Sequence, residues 1–385
     1  MVIDRGLASP TDRLLPTHRA WVEVDLGAIR RNLLAIRRLL TPSTALMSVV
    51  KADGYGHGAQ AVARTALSAG ASHLAVATLE EGIQLRMAGV EAPVLLFGPA
   101  ISKEEVDAIA LHRLQPTVCS LDQARRFSEA GLPGMQVHLK VDTGMTRLGA
   151  AWHETRELLR ALRVMPHLKV IGLYSHLATA DALDLTTAHQ QLQRFVEVVQ
   201  ALELEGARPP LVHLANSAAT LGMPEAHLDL ARIGLAQYGI SPAPHLSNVV
   251  PLHPALSVRA RIIFVKTVPA GIGVSYGHTF RTERPTRLAT VAIGYADGVP
   301  RALSNRIDLL VHGRRVRQVG TITMDQCLID VTDVPEAIEG ESTTLLGQDG
   351  TADIPAGEWA QRLGTIPYEI LTALSRRLPR IYCQA

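Results

Sequence analysis

What the chain lacks narrows its function before any motif is read. It has three cysteines in 385 residues, at positions 119, 327 and 383, too few and too widely spaced for a disulfide framework or a metal site. A reducing cytoplasm is therefore expected, and no metal. Net charge is nearly absent, +2 from 38 basic and 36 acidic side chains, so no global field favours nucleic acid or an anionic membrane. No stretch approaches the ~20 apolar residues of a membrane span, and residues 1–18 lack the apolar core of a secretory signal and read as a flexible tail. No GxGxxG follows a first strand and no GxxxxGK[ST] occurs, which removes support for dinucleotide or P-loop nucleotide binding. Lysine is scarce as well, with five (51, 103, 140, 169 and 266) against 33 arginines, so each can be weighed singly.

What remains is an ordinary globular composition, 47% hydrophobic and 19% charged. Its length suits two domains, since single cores stop growing near ~250–300 residues. From residue 45 to about 235, β-rich runs alternate with amphipathic stretches: ALMSVVKA (45–52), HLAVAT (73–78), PVLLFG (93–98), QPTVCS (115–120), VHLKVD (137–142), VIGLYSH (170–176), PLVHLAN (210–216) and LDLARIG (228–234). Eight βα repeats in this length favour a closed (β/α)8 TIM barrel, over residues 27–245, rather than an open doubly wound sheet. After residue 245 the runs RARIIFVKTV, TRLATVAIGY, RIDLLVHG, RVRQVGTIT and DQCLIDVT read as strands, so residues 246–385 are expected to form a mostly β domain, joined by the strand at 21–26.

In such a barrel, chemistry comes from the C-terminal ends of the strands. Lys51 closes the first run, Lys140 and Arg147 lie at and beyond the end of the fifth, and His176 ends the sixth. Asn216 and Ser217 follow the seventh, and Arg232, Gly234 and Leu235 the eighth. Any one of these has a bland alternative: Asn216 and Ser217 can cap a helix, and the histidines can be buried structural groups. Lys51 follows an apolar run and precedes Gly54, Gly56 and Gly58. In an apolar pocket its amine would lose basicity and could form a Schiff base with an aldehyde, but a lysine snorkelling to the barrel rim is about as well supported. Amides at Gly234 and Leu235, with Ser217, could take a phosphate.

Nine segments in order, VVKADGYGHG, KVDTGMTRLG, YSHLATAD, HLANSAAT, ARIGLAQYG, VSYGHTF, IGYADG, TMDQ and IPYEI, resemble the alanine racemase family across residues 20–382. The resemblance implies a pyridoxal 5'-phosphate enzyme with a (β/α)8 barrel, a β domain and a homodimer with shared active sites. Lys51 would be the lysine that carries the cofactor and one of two racemising bases, and Tyr276 the other. A base on each face of the substrate carbon is what inversion requires. A tyrosine needs a neighbouring charge or donor to act so, and His176 would begin that network, with His213 behind it. Arg232 would donate to the pyridine nitrogen, which must then stay unprotonated, weakening the electron sink and limiting transamination and decarboxylation.

By the same resemblance Tyr55, Ser217, Gly234, Leu235 and Tyr368 hold the cofactor phosphate. Arg147 meets the cofactor phenolic oxygen and the substrate carboxylate, and Met324 offers that carboxylate a backbone amide. Lys140 matches a lysine often carbamylated in the family, and Asn216, Tyr295 and Asp325 support the site. Thr323, before Met324, stands where the family varies, and the segment before Trp21 carries no motif and is given no role. The implied physiological task is D-alanine supply for the cell wall. Competing readings are a broad-specificity or serine racemase, an amino-acid decarboxylase, which Arg232 argues against, and a non-catalytic cofactor store, which would have no use for a second base.

Overall fold

The computed structural model describes residues 17–130 and 134–384, so most of the expected tail lies outside it. The chain divides into two compact units. One spans Ala28–His253; the other is made of the described residues up to Gly27 together with those from Pro254 onward.

The first unit contains eight parallel strands: Ala45–Val49, His73–Val76, Val94–Leu96, Gln115–Val118, Met135–Asp142, Leu168–Tyr174, Leu211–His213 and Leu230–Ile233. Each expected run overlaps one of them, the fifth and sixth strands starting two residues before their runs. Neighbours pair in chain order, and the eighth strand pairs with the first. The seam between the seventh and eighth is bridged by Asp229 N–H donating to Val212 O and Arg232 N–H to Ala215 O, both at 3.0 Å. The sheet is thus a nearly closed (β/α)8 barrel. Its strands are buried on both faces, which is why they read as continuous apolar runs rather than alternating ones. Helices return between them, and their starts are written in the sequence. Thr78 and Ser102 form capping boxes with Glu81 and Glu105, and Ser120 and Asn216 cap the helices that follow them.

The barrel interior is less apolar than the runs suggest. Gln115, Thr117, His138, Lys140, His213 and Arg232 are all buried, and each needs a partner inside the barrel.

The second unit is built on the long strand Leu256–Val268. Its first half pairs with Ala20–Asp25, which also pairs in parallel with Arg380–Cys383. Its other contacts, with Thr286–Val291 and Ser342–Asp349, belong to a ring completed by Cys327–Asp330, Arg314–Val319 and Asp308–Val311. Six antiparallel strands therefore close into a small barrel, which leaves them no free edge within the ring. Helices Ala356–Leu363 and Pro367–Thr372 lie in the same unit.

The sixth strand of the first barrel passes directly behind an imidazole. A Cβ on Gly172 would lie 1.9 Å from His138 Nδ1. Gly172→Ala should cost about 1–3 kcal/mol by overpacking, read as a lower denaturant midpoint at unchanged slope; an unchanged midpoint would show that the ring can move aside.

Candidate active site

The first barrel strand ends in an unusual turn. Lys51 begins a short helical segment, Lys51–Tyr55, in which Ala52 (φ 51°, ψ 50°), Asp53 (φ 52°, ψ 48°) and Gly54 (φ 61°, ψ 42°) are left-handed, and Tyr55 follows at φ 53°. Left-handed geometry costs an L-residue about 1–2 kcal/mol, so this turn must be held from outside. Glu81 Oε1 accepts the Ala52 amide at 2.6 Å, and Asp53 Oδ1 accepts the Ala59 amide at 2.9 Å. Gly54 donates to Val50 O at 2.8 Å and Gly58 to Asp53 O at 2.8 Å. Over-determined strain of this kind gathers at functional sites. Its effect is to present the half-buried Lys51 at the strand end. Its amine is held below its ordinary pKa by burial, then by repulsion from Arg147, with Glu81 acting the other way.

The same turn places Tyr55 against the end of the eighth strand. A Cβ on Gly234 would stand 2.8 Å from the Tyr55 hydroxyl, so only glycine allows this approach. Ser217 Oγ accepts the Gly234 amide at 2.9 Å and the Ala236 amide at 3.4 Å. Tyr55, Ser217, Gly234 and Leu235, which opens the turn Leu235–Tyr238, are therefore neighbours. Asn216 takes the alternative open to it: its side chain caps the helix Ser217–Gly222, accepting the Ala219 amide at 3.0 Å.

Arg232 is 3% exposed and has no carboxylate partner among the described residues. Its Nη2 donates to Ser175 O (2.8 Å) and Leu214 O (2.9 Å) and lies 3.2 Å from His176 Nδ1; its Nη1 lies 3.0 Å from His213 Nδ1. A guanidinium can only donate, so both imidazoles must accept at Nδ1 and carry their proton on Nε2. That choice propagates. His213 Nε2–H points at His138 Nδ1, 3.1 Å away, and His138 Nε2–H at Gln115 Oε1, 3.2 Å away. Gln115 in turn donates to Gln136 Oε1 at 2.8 Å. Tyr174 stacks flat on His213, with centroids 4.8 Å apart, and its hydroxyl meets Thr117 Oγ1 at 2.7 Å.

Burial first, and the Arg232 charge among the further causes, hold the three imidazoles neutral. His138 is lowered to about 3, His176 to about 2, and His213 well below its ordinary value. Burial also lowers Arg232, to about 10.

Lys140 is 4% exposed, lies over the Tyr174 ring at 5.4 Å and has no acidic hydrogen-bond partner among the described residues. Burial, then Arg147, lowers it to about 8. Arg147 is exposed, on a loop shaped by Asp142 Oδ1, which accepts the amides of Gly144 (2.9 Å) and Thr146 (3.1 Å).

The remaining expected residues belong to the second unit. Tyr276 begins the turn Tyr276–His278 and is 73% exposed, its carbonyl accepting Thr321 Oγ1 at 2.8 Å. Tyr295 and Met324 sit on two loops joined through their backbones, with Tyr295 N–H donating to Thr323 O and Ala296 N–H to Met324 O, both at 3.0 Å. Asp325 accepts Arg377 Nη2 at 2.6 Å. Tyr368 is half-buried in Pro367–Thr372. Sequence reasoning missed His138, Gln115 and Tyr174. The signal for two of them was period-2 spacing: His138 precedes Lys140, and Tyr174 precedes His176, by two residues on one strand face.

The family model for the alanine racemase N-terminal domain matches residues 24–242, and that for the C-terminal domain matches residues 255–382. Alanine racemases from a Nostoc and a Synechocystis species are each 50% identical to this chain, over 95% and 94% of it and 96% and 98% of their own lengths. A crystal structure of alanine racemase from Bacillus anthracis with bound L-Ala-P superposes with a TM-score of 0.89 at 39% identity, over 95% of each chain.

The neutral imidazoles make stability pH-dependent. Their folded pKa values lie below the unfolded value of 6.5, so the unfolded chain binds more protons in acid. Stability should be fully present above about pH 6.5 and fall as pH drops below it, with each histidine contributing up to about 1.4 kcal/mol per pH unit. Urea unfolding between pH 7.5 and 5 measures this, on the order of three protons being expected; a flat profile would contradict it.

Proposed function

The chain belongs to the alanine racemase family, and from that premise we propose that it interconverts L- and D-alanine with pyridoxal 5'-phosphate as cofactor and Lys51 and Tyr276 as the two bases. When bound, the cofactor supplies the electron withdrawal that lets the Cα–H bond of the substrate ionise. The observation that carries this reading is Arg232. Its four described bonds use Nη1 and Nη2, so Nε–H has no acceptor among the described residues. A donor-only group suits a pyridine nitrogen that stays unprotonated, and such a nitrogen favours return of the proton to carbon over transamination or decarboxylation.

The other residues fit the same group. Lys51, with its lowered pKa, keeps a larger share of unprotonated amine to bond an aldehyde and, once released, to take a proton from Cα or give one back. Tyr55, Ser217, Gly234 and Leu235 would hold the phosphate, joined by Tyr368. His176, fixed as its Nε2–H tautomer by Arg232, keeps one donor for the phenol oxygen of Tyr276, with His213 supporting it from behind. Arg147 and the Met324 amide would hold the substrate carboxylate, with Tyr295 and Asp325 shaping that side of the site. Asn216 would act by capping the helix that carries Ser217.

Lys140 would be carbamylated: a buried amine with a pKa near 8 and no acidic partner among the described residues is in part unprotonated, the form that reacts with CO2. The resulting anion would orient Arg147 in place of the repulsion now between the two cations.

The exposure of Tyr276 and Met324, 73% and 52%, supports a homodimer in which each β domain completes the partner's barrel. The two domains would be the barrel of about 27–245 and the β domain of 246–385 joined by the strand at 21–26. Among the described residues no helix is long and apolar enough to cross a membrane. The three cysteines are free, as a cytoplasmic enzyme supplying D-alanine for peptidoglycan would have them.

The purified protein should convert L- to D-alanine faster with added cofactor, and faster than it racemises serine or other amino acids. Lys51→Ala should abolish the conversion, and Tyr276→Phe should lower it at least ~100-fold. Cofactor bound at Lys51 with no racemisation of any amino acid would leave a cofactor store instead; full activity in Tyr276→Phe would remove the second base.

A further inference from the structure

The two loops of the second unit that carry Tyr295 and Met324 share one buried anchor, Asp297. This carboxylate is fully buried and is met from three directions. Arg19 grips it with both terminal nitrogens, at 2.7 and 3.1 Å, while also donating to Ala292 O at 2.5 Å. The Gly294 amide donates to Oδ2 at 3.0 Å. Arg377 brings its Nε within 3.4 Å of Oδ1, and its Nη2 reaches Asp325 Oδ1 at 2.6 Å. Arg377 therefore ties the Tyr295 loop to the residue beside Met324.

Space enforces the same register. A Cβ on Gly294 would lie 2.2 Å from Thr323 O, and one on Gly298, at φ 104°, would lie 2.6 Å from Ala373 O. The two loops touch backbone to backbone at Gly294, Gly298 packs the first of them on the backbone of Ala373, and the ion network sets which way the loops face. Arg19 lies in the segment before Trp21, which carries no motif; it bonds Asp297, and the neighbouring His18 O accepts Arg261 Nε at 2.9 Å.

We propose that Asp297, with Arg19 and Arg377, is a positioning centre that holds the Tyr295 and Met324 loops in one arrangement and so sets how tightly the substrate carboxylate is held. This rests on the functional reading above, in which the Met324 amide meets that carboxylate. None of the three touches the reacting atoms. A buried carboxylate that accepts three hydrogen bonds, two from one guanidinium and one from an amide, with a second guanidinium beside it, has little freedom to turn. Loosening Arg377 frees the Asp325 side chain, and loosening Arg19 frees Asp297 on which Arg377 rests; either lets the 323–326 loop sample other positions, a loss of orientation rather than of a reacting group.

The test uses the full-length holoenzyme and reads two quantities. Arg377→Met should raise KM for alanine roughly threefold to tenfold while kcat stays within about twofold, the signature of lost substrate positioning. The amides of Tyr295 and Ala296 should exchange with deuterium faster in the same variant. Arg377→Lys should recover part of both effects, and Arg19→Met should repeat them. Asp297→Asn is the stricter variant and is compared only if it folds. A folded Arg377→Met enzyme with the wild-type KM overturns the proposal. Wild-type protein that racemises no alanine overturns the functional reading instead, and the amide exchange then judges the network: unchanged exchange in Arg377→Met overturns the proposal there too.

Discussion

The barrel site depends on one buried cation that has no anionic hydrogen-bond partner among the described residues. Arg232 is sealed among Ser175, His176, His213 and Leu214 and meets carbonyl oxygens and imidazole nitrogens. A lone buried charge is costly, so its surroundings must supply acceptors without supplying further charge. That requirement dictates the chemistry behind it. The imidazoles have to be neutral, their protons have to sit on Nε2, and the chain of bonds through His213 and His138 has to end on an acceptor, which Gln115 provides. A carboxylate in place of Gln115 would invite a protonated His138 and set N–H against N–H somewhere along the chain.

Around this centre the barrel mouth is cationic and short of anions. Burial, and after it the Arg147 charge, lowers the pKa of both Lys51 and Lys140. An anion bound there would relieve the repulsion that Arg147 exerts on both amines. The strained turn after Val50 belongs to the same arrangement. A right-handed continuation would carry the chain away after Lys51, whereas the left-handed run turns Tyr55 back over Gly234 and leaves the lysine at the rim. Glu81, on the helix Leu79–Met87, holds that run and also acts on the amine as a negative charge that raises its pKa.

Much of this was legible in the sequence, and the limits have physical causes. All eight barrel strands overlap their expected runs, the fifth and sixth starting two residues earlier, because parallel strands buried on both faces have nowhere to put polar residues except their ends and the barrel axis. The closeness of Ser217 and Gly234 also followed from their places at strand ends, while Tyr55 entered only through the family resemblance. What could not be read was which polar residue faces which across the barrel. Gln115 and His138 lie 23 positions apart, and His138 and His213 75 apart. A one-dimensional pattern gives each residue's face but not its neighbour. The left-handed turn was hidden for a related reason: VVKADGYG contains glycines, yet the residues at positive φ include Ala52, Asp53 and Tyr55. Arg19 and Asp297 lie 278 positions apart and share no motif, so the network joining them had no local signal at all.

The polarity of the histidine chain is the most direct test of this account, and nitrogen NMR of the imidazoles of His138 and His213 at pH 6 measures it. Both rings should be neutral with the proton on Nε2. A protonated ring, or a proton on Nδ1 of His213, would contradict the account, because Arg232 would then face a donor where the whole arrangement requires an acceptor.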